Sequence, residues 1–212
     1  MNPIRVVLVD DHAVVRSGYR RLIELEQVMQ VVAEFGDGES AYTWLAQHEA
    51  DVLVLDLSMP GRGGLDTLGR LKHRQPDLRV LVFSMHDSAA MVTQALRAGA
   101  DGYLTKSSSP EMLIDAIQRV WRHERVLSDD IRQHAFSATT ASELAPHQVL
   151  TPREFEIFRR LAQGLTVDGI AQTLSLSSKT VANYPTVIRQ KLGVESPVEM
   201  VRLAQQYGLA NR

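Results

Sequence analysis

Short apolar runs alternate with amphipathic stretches through the first 125 residues. The runs are residues 6–9, 31–35, 52–55, 80–83 and 102–105. Most are rich in Val and Leu and are bounded by polar residues or Gly, the pattern of buried strands. Helical spacing separates them, as in Val14, Leu22 and Leu25, or in Ala41, Leu45 and Ala46. Five strand–helix units in succession predict a doubly wound α/β fold, a five-stranded parallel sheet covered by helices on both faces. The helix after residue 108 opens on a capping-box spacing, Ser108 with Glu111, and carries Pro110 in its first turn.

The pattern changes after Trp121. Residues 125–136 (RVLSDDIRQHAF) allow a short extra helix. Residues 137–148 (SATTASELAPHQ) have no periodicity and are rich in small and polar residues, as in a linker. From Leu150 onward only helices are predicted. TPREFEIFRRLAQG opens on Thr151 as N-cap with Pro152 next and Glu154 three residues on, and it stops at Gly164. TVDGIAQTLSL gives a second helix, SSKTVANYPTVIRQKLG a third and SPVEMVRLAQQYG a fourth.

Charge divides the chain in the same place. Residues 1–125 carry 14 Lys and Arg against 17 Asp and Glu, and residues 148–212 carry 8 against 5. An acidic front and a basic back predict two domains with different partners. No apolar run approaches the ~18 residues needed to span a bilayer. The N-terminus reaches its acidic pair too early for a secretory signal. With no cysteine, disulfide frameworks and thiolate metal sites are excluded. These features together predict a cytoplasmic protein with no membrane partner.

The candidate chemistry sits at predicted strand ends, where doubly wound folds gather their functional groups. Asp10 and Asp11 end the first strand, Asp56 the third, Ser84 the fourth, and Lys106 follows the fifth. Three carboxylates and one lysine sum to −2, which one divalent cation neutralises. All-oxygen ligands favour Mg²⁺. The alternative is that Asp10 and Asp11 only cap a helix beginning near Ala13. The seven histidines show no metal-ligand spacing and read as surface or local structural residues.

The DD pair, the Asp of LDLSMPGRGG, the Ser of FSM and the Tyr and Lys of GYLTK together resemble the receiver domain of two-component response regulators. The resemblance implies a flavodoxin-like strand order 2-1-3-4-5 and phosphorylation at Asp56. It implies Mg²⁺ held by Asp10, Asp11, Asp56 and the Ser58 backbone carbonyl. Lys106 would meet a phosphoryl oxygen, with Ser84 and Tyr103 as switch residues. Lys106 is followed by Ser107 where many receivers have proline, so no cis peptide is expected there.

LTPREFEIFRRLAQG, IAQTLSLSSKTVANY and IRQKLGV resemble the four-helix LuxR-type helix-turn-helix of the NarL/FixJ class. That places the third of these helices in the DNA major groove. Its candidate contacts are Lys179, Thr180, Asn183, Tyr184, Thr186, Arg189 and Lys191. The expected organisation is a receiver over 1–125, a linker over 126–147 and a DNA-binding domain over 148–212. The implied partners are a histidine kinase or small phosphodonor, double-stranded DNA and a second copy of the chain. Two departures stand out: Ala182, where the family commonly has Lys, and Pro185 inside the recognition helix. An interior proline costs ~3 kcal/mol and predicts a kink or a late start. A regulator acting by protein–protein contact, and a Mg²⁺-dependent phosphohydrolase, are the competing expectations.

Overall fold

The computed structural model describes residues 2–59, 63–128, 131 and 145–210. Strands β1 (Ile4–Val9), β2 (Met29–Phe35), β3 (Val52–Leu55), β4 (Arg79–Ser84), β5 (Gly102–Thr105) and β6 (Val126–Leu127) form one sheet in the order β2-β1-β3-β4-β5-β6. Every pairing is parallel. Five strands were expected, and the sixth is a correction. Val126 and Leu127 pair with Gly102 and Tyr103, so the sheet extends into the segment expected to be linker. The short helix expected over residues 125–136 falls mostly outside the described residues.

Helices α1 (Ala13–Leu25), α2 (Gly38–Leu45), α3 (Gly64–Arg74), α4 (Ala89–Arg97) and α5 (Pro110–Trp121) cover the sheet. Alternate residues of β1 serve opposite faces, as strand geometry requires. Val7 and Val9 join Leu45, Leu65, Leu68 and Met91 from α2, α3 and α4. Val6 and Leu8 join Ile23 of α1 and Leu113, Ile117 and Val120 of α5. The apolar spacing noted in α1 is not its core face, because Val14 and Leu25 are exposed and Ile23 is buried. The cap of α5 is Ser109, whose hydroxyl accepts from Met112 N–H, one residue later than the Ser108 spacing suggested.

The C-terminal part holds α6 (Pro146–Val149), α7 (Pro152–Ala162), α8 (Val167–Thr173), α9 (Ser178–Leu192) and α10 (Pro197–Gln206). Thr151 and Glu154 close the expected capping box on α7. Gly193 ends α9 with φ of 64°, the left-handed geometry that glycine adopts without strain. α9 begins at Ser178 and runs unbroken through Pro185, so the expected late start does not occur.

α7 is buried on nearly all sides, charged residues included. One side packs within its own bundle, where Phe155 and Phe158 are fully buried. The other side meets α3 of the N-terminal part, and α6 meets α4. Gln94 donates to the Leu150 carbonyl at 3.1 Å, and Arg97 to that of Gln148 at 2.7 Å. No helix among the described residues is long and apolar enough to cross a membrane.

Candidate functional site: an acidic pocket and a helix-turn-helix

Parallel pairing aligns the carboxyl ends of β1, β3, β4 and β5, and this alone gathers residues distant in sequence. Asp10 lies just beyond β1 and Asp56 just beyond β3, with the Asp56 amide donating to the Val9 carbonyl. Lys106 follows β5, and its amide donates to the Ser84 carbonyl at the end of β4. The Lys106 ammonium reaches Asp10 Oδ2 at 2.6 Å and Asp56 Oδ2 at 2.7 Å. All three side chains are at least nine-tenths buried. Burial alone pulls the Lys106 pKa down, but its hydrogen bonds to the two carboxylates outweigh that and raise it.

Asp11 is more exposed and sits with His12, whose Nδ1 lies 2.9 Å from Asp11 Oδ1. Carboxylate oxygens of Asp10, Asp11 and Asp56 and a ring nitrogen of His12 lie within 4.8 Å of one another. Three oxygen donors in that space fit a hard divalent cation that keeps some of its waters. The capping alternative for Asp10 and Asp11 is not what α1 shows. Its N-cap is His12 and makes no side-chain cap bond, although Asp10 Oδ1 accepts from the His12 amide.

Asp56 Oδ1 accepts from the Ser58 amide at 2.9 Å, which orients the carboxylate. Gly64 makes the close turn back possible. A Cβ there would meet Leu57 Cα at 2.4 Å and the Asp56 carbonyl at 3.0 Å. Ser84 is fully buried, its hydroxyl 3.3 Å from Ser58 Oγ and 3.4 Å from the His86 amide that donates to it. Tyr103 is buried, and its hydroxyl donates to the His86 carbonyl at 2.6 Å. Burial pushes its phenol pKa up. The peptide bond after Lys106 is trans, as expected from Ser107.

The second candidate surface is built by α8, a turn and α9. Thr166 and Ser177 cap the two helices through Gly169 N–H and Thr180 N–H. Ser178 Oγ donates to Asp168 at 2.5 Å and ties the helices together. Ile170, Val181 and Ile188 fix the inner face. Lys179, Thr180, Asn183 and Thr186 are exposed on the outer face, together with Ala182 and Val187. Tyr184 and Arg189 are half-buried. Lys191 is engaged elsewhere, its ammonium 2.8 Å from both oxygens of Glu154. Burial raises the Glu154 pKa, but this lysine and the Thr151 N–H lower it further, so the net shift is down.

Some residues at these surfaces gave no signal in the sequence. His86 was read as a surface or local histidine. It lies between the two halves of the chain, with Nε2 3.3 Å from Arg159 Nη1 of α7. Glu156, Arg159 and Arg160 carried no such signal either, and all three are buried.

An acidic pocket at the switch edge of a doubly wound sheet, followed by a capped helix-turn-helix, defines a two-domain signalling regulator. Family comparison agrees at both ends. The response regulator receiver domain matches residues 6–118, and the luxR family of bacterial regulatory proteins matches residues 148–204. The chain belongs to the response regulators that join a receiver to a LuxR-type DNA-binding domain, the NarL/FixJ class. It is 34% identical over 210 residues to the response regulator UvrY of Escherichia coli K12, covering 98% of this chain and 96% of that protein. It is 39% identical over 197 residues to the nitrate/nitrite response regulator NarP of the same organism, covering 92% of each. Among solved structures it resembles RcsB from Salmonella enterica serovar Typhimurium bound to promoter rprA with the phosphomimetic BeF3-. The TM-score is 0.70 at 28% identity, covering 96% of this chain and 99% of RcsB.

Proposed function

We propose that this chain is a phosphorylation-gated transcription regulator that accepts a phosphoryl group on Asp56 and binds duplex DNA through α9. The observation that carries the reading is the convergence of Asp56, Asp10 and Lys106 within single hydrogen-bond distances. A carboxylate so placed is a nucleophile for phosphoryl transfer. An Asp56 oxygen attacks phosphorus, and the bond to the donor breaks with its electron pair leaving on the donor. The donor is a histidine kinase or a small acyl phosphate. Asp10, Asp11, Asp56 and the Ser58 backbone carbonyl would hold Mg²⁺, which supplies charge neutralisation for the transferred group. Lys106 holds a phosphoryl oxygen and balances the rest of the charge.

Phosphorylation adds about one negative charge at Asp56. Ser84, 3.3 Å from Ser58 Oγ, supports a switch in which its hydroxyl turns toward the new oxygens. That turn withdraws its bond from the His86 amide, and Tyr103 follows because its hydroxyl is tied to the same residue. The receiver then comprises residues 1–125 extended by β6. The remainder of 126–147 serves as linker, and 148–212 as the DNA-binding domain. Lys179 meets phosphate, while Thr180, Asn183 and Thr186 face base edges. Two copies bind two half-sites in the cytoplasm. RcsB, whose dimers are seen on DNA, supports this arrangement.

Ser84→Ala tests the switch. Asp56 labelling stays intact, and the gain in DNA affinity on phosphorylation falls at least about tenfold, the value of one charge-assisted hydrogen bond. An unchanged gain in a binding titration rejects Ser84 as the switch.

One second reading has an observation behind it. Ala182, Pro185 and the Lys191–Glu154 bridge leave the outer face of α9 with little free positive charge. That favours an output domain acting by protein contact, which would show a weak salt slope on DNA. The phosphohydrolase alternative fits less well. The cavity beside Asp10 and Asp56, lined by Arg16, Tyr19 and Phe83 among the described residues, holds ≈ 10 Å³.

A further inference from the structure

His86 stands at the junction of two paths. One runs to the acceptor site: the Asp56 carboxylate to Ser58, Ser58 Oγ to Ser84 Oγ, and Ser84 Oγ to the His86 amide, with Tyr103 on the His86 carbonyl. The other runs into the output domain. Arg159 Nη1 lies 3.3 Å from His86 Nε2, and Arg159 Nη2 donates to Glu156 Oε1 at 3.2 Å. Arg160 pairs with the same Glu156 oxygen. Two buried guanidiniums thus share one buried carboxylate, and Arg159 Nε has no hydrogen-bond partner among the described residues.

We propose that His86 and Arg159 form a proton-sensitive latch that holds α7 on the receiver, and that a proton on His86 opens it without phosphorylation. The proposal rests on the reading that this domain contact restrains the output domain. Its geometry is decisive because arginine has donors only. The His86 Nε2 facing Arg159 must therefore be the acceptor, and the ring proton sits on Nδ1. An imidazolium has no acceptor and sets a third cation against Arg159 and Arg160.

Charged neighbours act in both directions, and Glu156 of α7 offsets part of the charge on Arg159 and Arg160. Arg159 and Arg160 of α7 disfavour the imidazolium, whereas Asp56 at the end of β3 and Asp87 of the same loop favour it. Tyr103 of β5 is neutral, because burial raises its pKa. Burial and then Arg159 outweigh the two aspartates, and His86 in the closed form is pushed down to about 4 from 6.5. A depressed histidine pKa makes closure favourable above the open-form pKa. Closure weakens as pH falls below about 6.5 and levels off below about 4. Between pH 7.5 and pH 5.5 the opening equilibrium rises about tenfold. A cytoplasm under acid stress would then release the output domain through the histidine that also senses phosphorylation.

The absence of cysteine allows a direct test. Gln47→Cys and Gln172→Cys, both exposed and one in each half, carry a dye pair in the full-length chain. Interdomain energy transfer is followed from pH 7.5 to pH 5.5 without phosphodonor, and at pH 7.5 with beryllofluoride plus Mg²⁺. The proposal predicts an acid-driven opening of about tenfold that is lost in His86→Gln, whose neutral amide oxygen still accepts from Arg159. Arg159→Met should already be open at pH 7.5. No acid response, or the same response in His86→Gln, overturns the latch. Acid opening through His86 with no response to beryllofluoride leaves the latch standing and removes the phosphorylation reading. Beryllofluoride opening without an acid response does the reverse.

Discussion

Asp56→Asn loses all acyl-phosphate labelling. The carboxamide is isosteric and still accepts from the Ser58 amide, so the loop around it keeps its geometry. It lacks the anionic oxygen proposed to attack phosphorus. Incubation with a labelled small acyl phosphate, followed by intact-mass measurement, reads the result. Labelling that persists in the variant moves the acceptor to another carboxylate.

Lys106→Met destabilises the chain by about 3 kcal/mol in the presence of a chelator, because removing one partner leaves buried charge uncompensated. Asp56 is 1% exposed and Asp10 9%, so water screens their repulsion poorly once the ammonium is gone. For a protein of this size the loss corresponds to a fall of roughly 10 °C in Tm. Mg²⁺ should restore most of it. A ligand at a hundred times its Kd adds about 2.7 kcal/mol, and the variant removes the cation that competes for the same two carboxylates. Thermal melts with and without millimolar Mg²⁺ measure both effects. A variant as stable as the parent in chelator would show that the two carboxylates do not repel. A variant that Mg²⁺ fails to rescue would show that they do not share a metal.

The acidic pocket was legible because parallel sheets make strand ends converge. Asp10, Asp56 and Lys106 each follow directly on an apolar run, so locating the runs located the site. Ser84 and Tyr103 were legible as positions, while the depth of Tyr103 depended on the loop that carries His86. β6 was missed because two residues give no periodicity; only the pairing with Gly102 and Tyr103 makes Val126 and Leu127 a strand. The α5 cap moved by one residue because three serines in a row offer nearly equivalent caps.

The burial of the charged residues of α7 was not legible, for a deeper reason. In EFEIFRR the charges look like a solvated face, and nothing local announces that a second domain covers them. A helix with apolar residues on one side and paired opposite charges at three- and four-residue spacing on the other has two possible fates. Tertiary contact decides between them. Lys191 shows the same limit, since its partner Glu154 lies 37 residues away. Pro185 leaves α9 unbroken, with Val181, Ile188 and Leu192 anchoring the helix on both sides of it.

Phosphorylation at the acidic pocket is expected to gate the grip of α9 on DNA. Its most direct test is binding of the full-length chain to a pool of duplex fragments across a salt series, with and without beryllofluoride plus Mg²⁺. Selective binding is expected, strengthened by the phosphoryl mimic and weakening steeply as salt releases counterions. A folded protein that binds no fragment selectively in either state would contradict it.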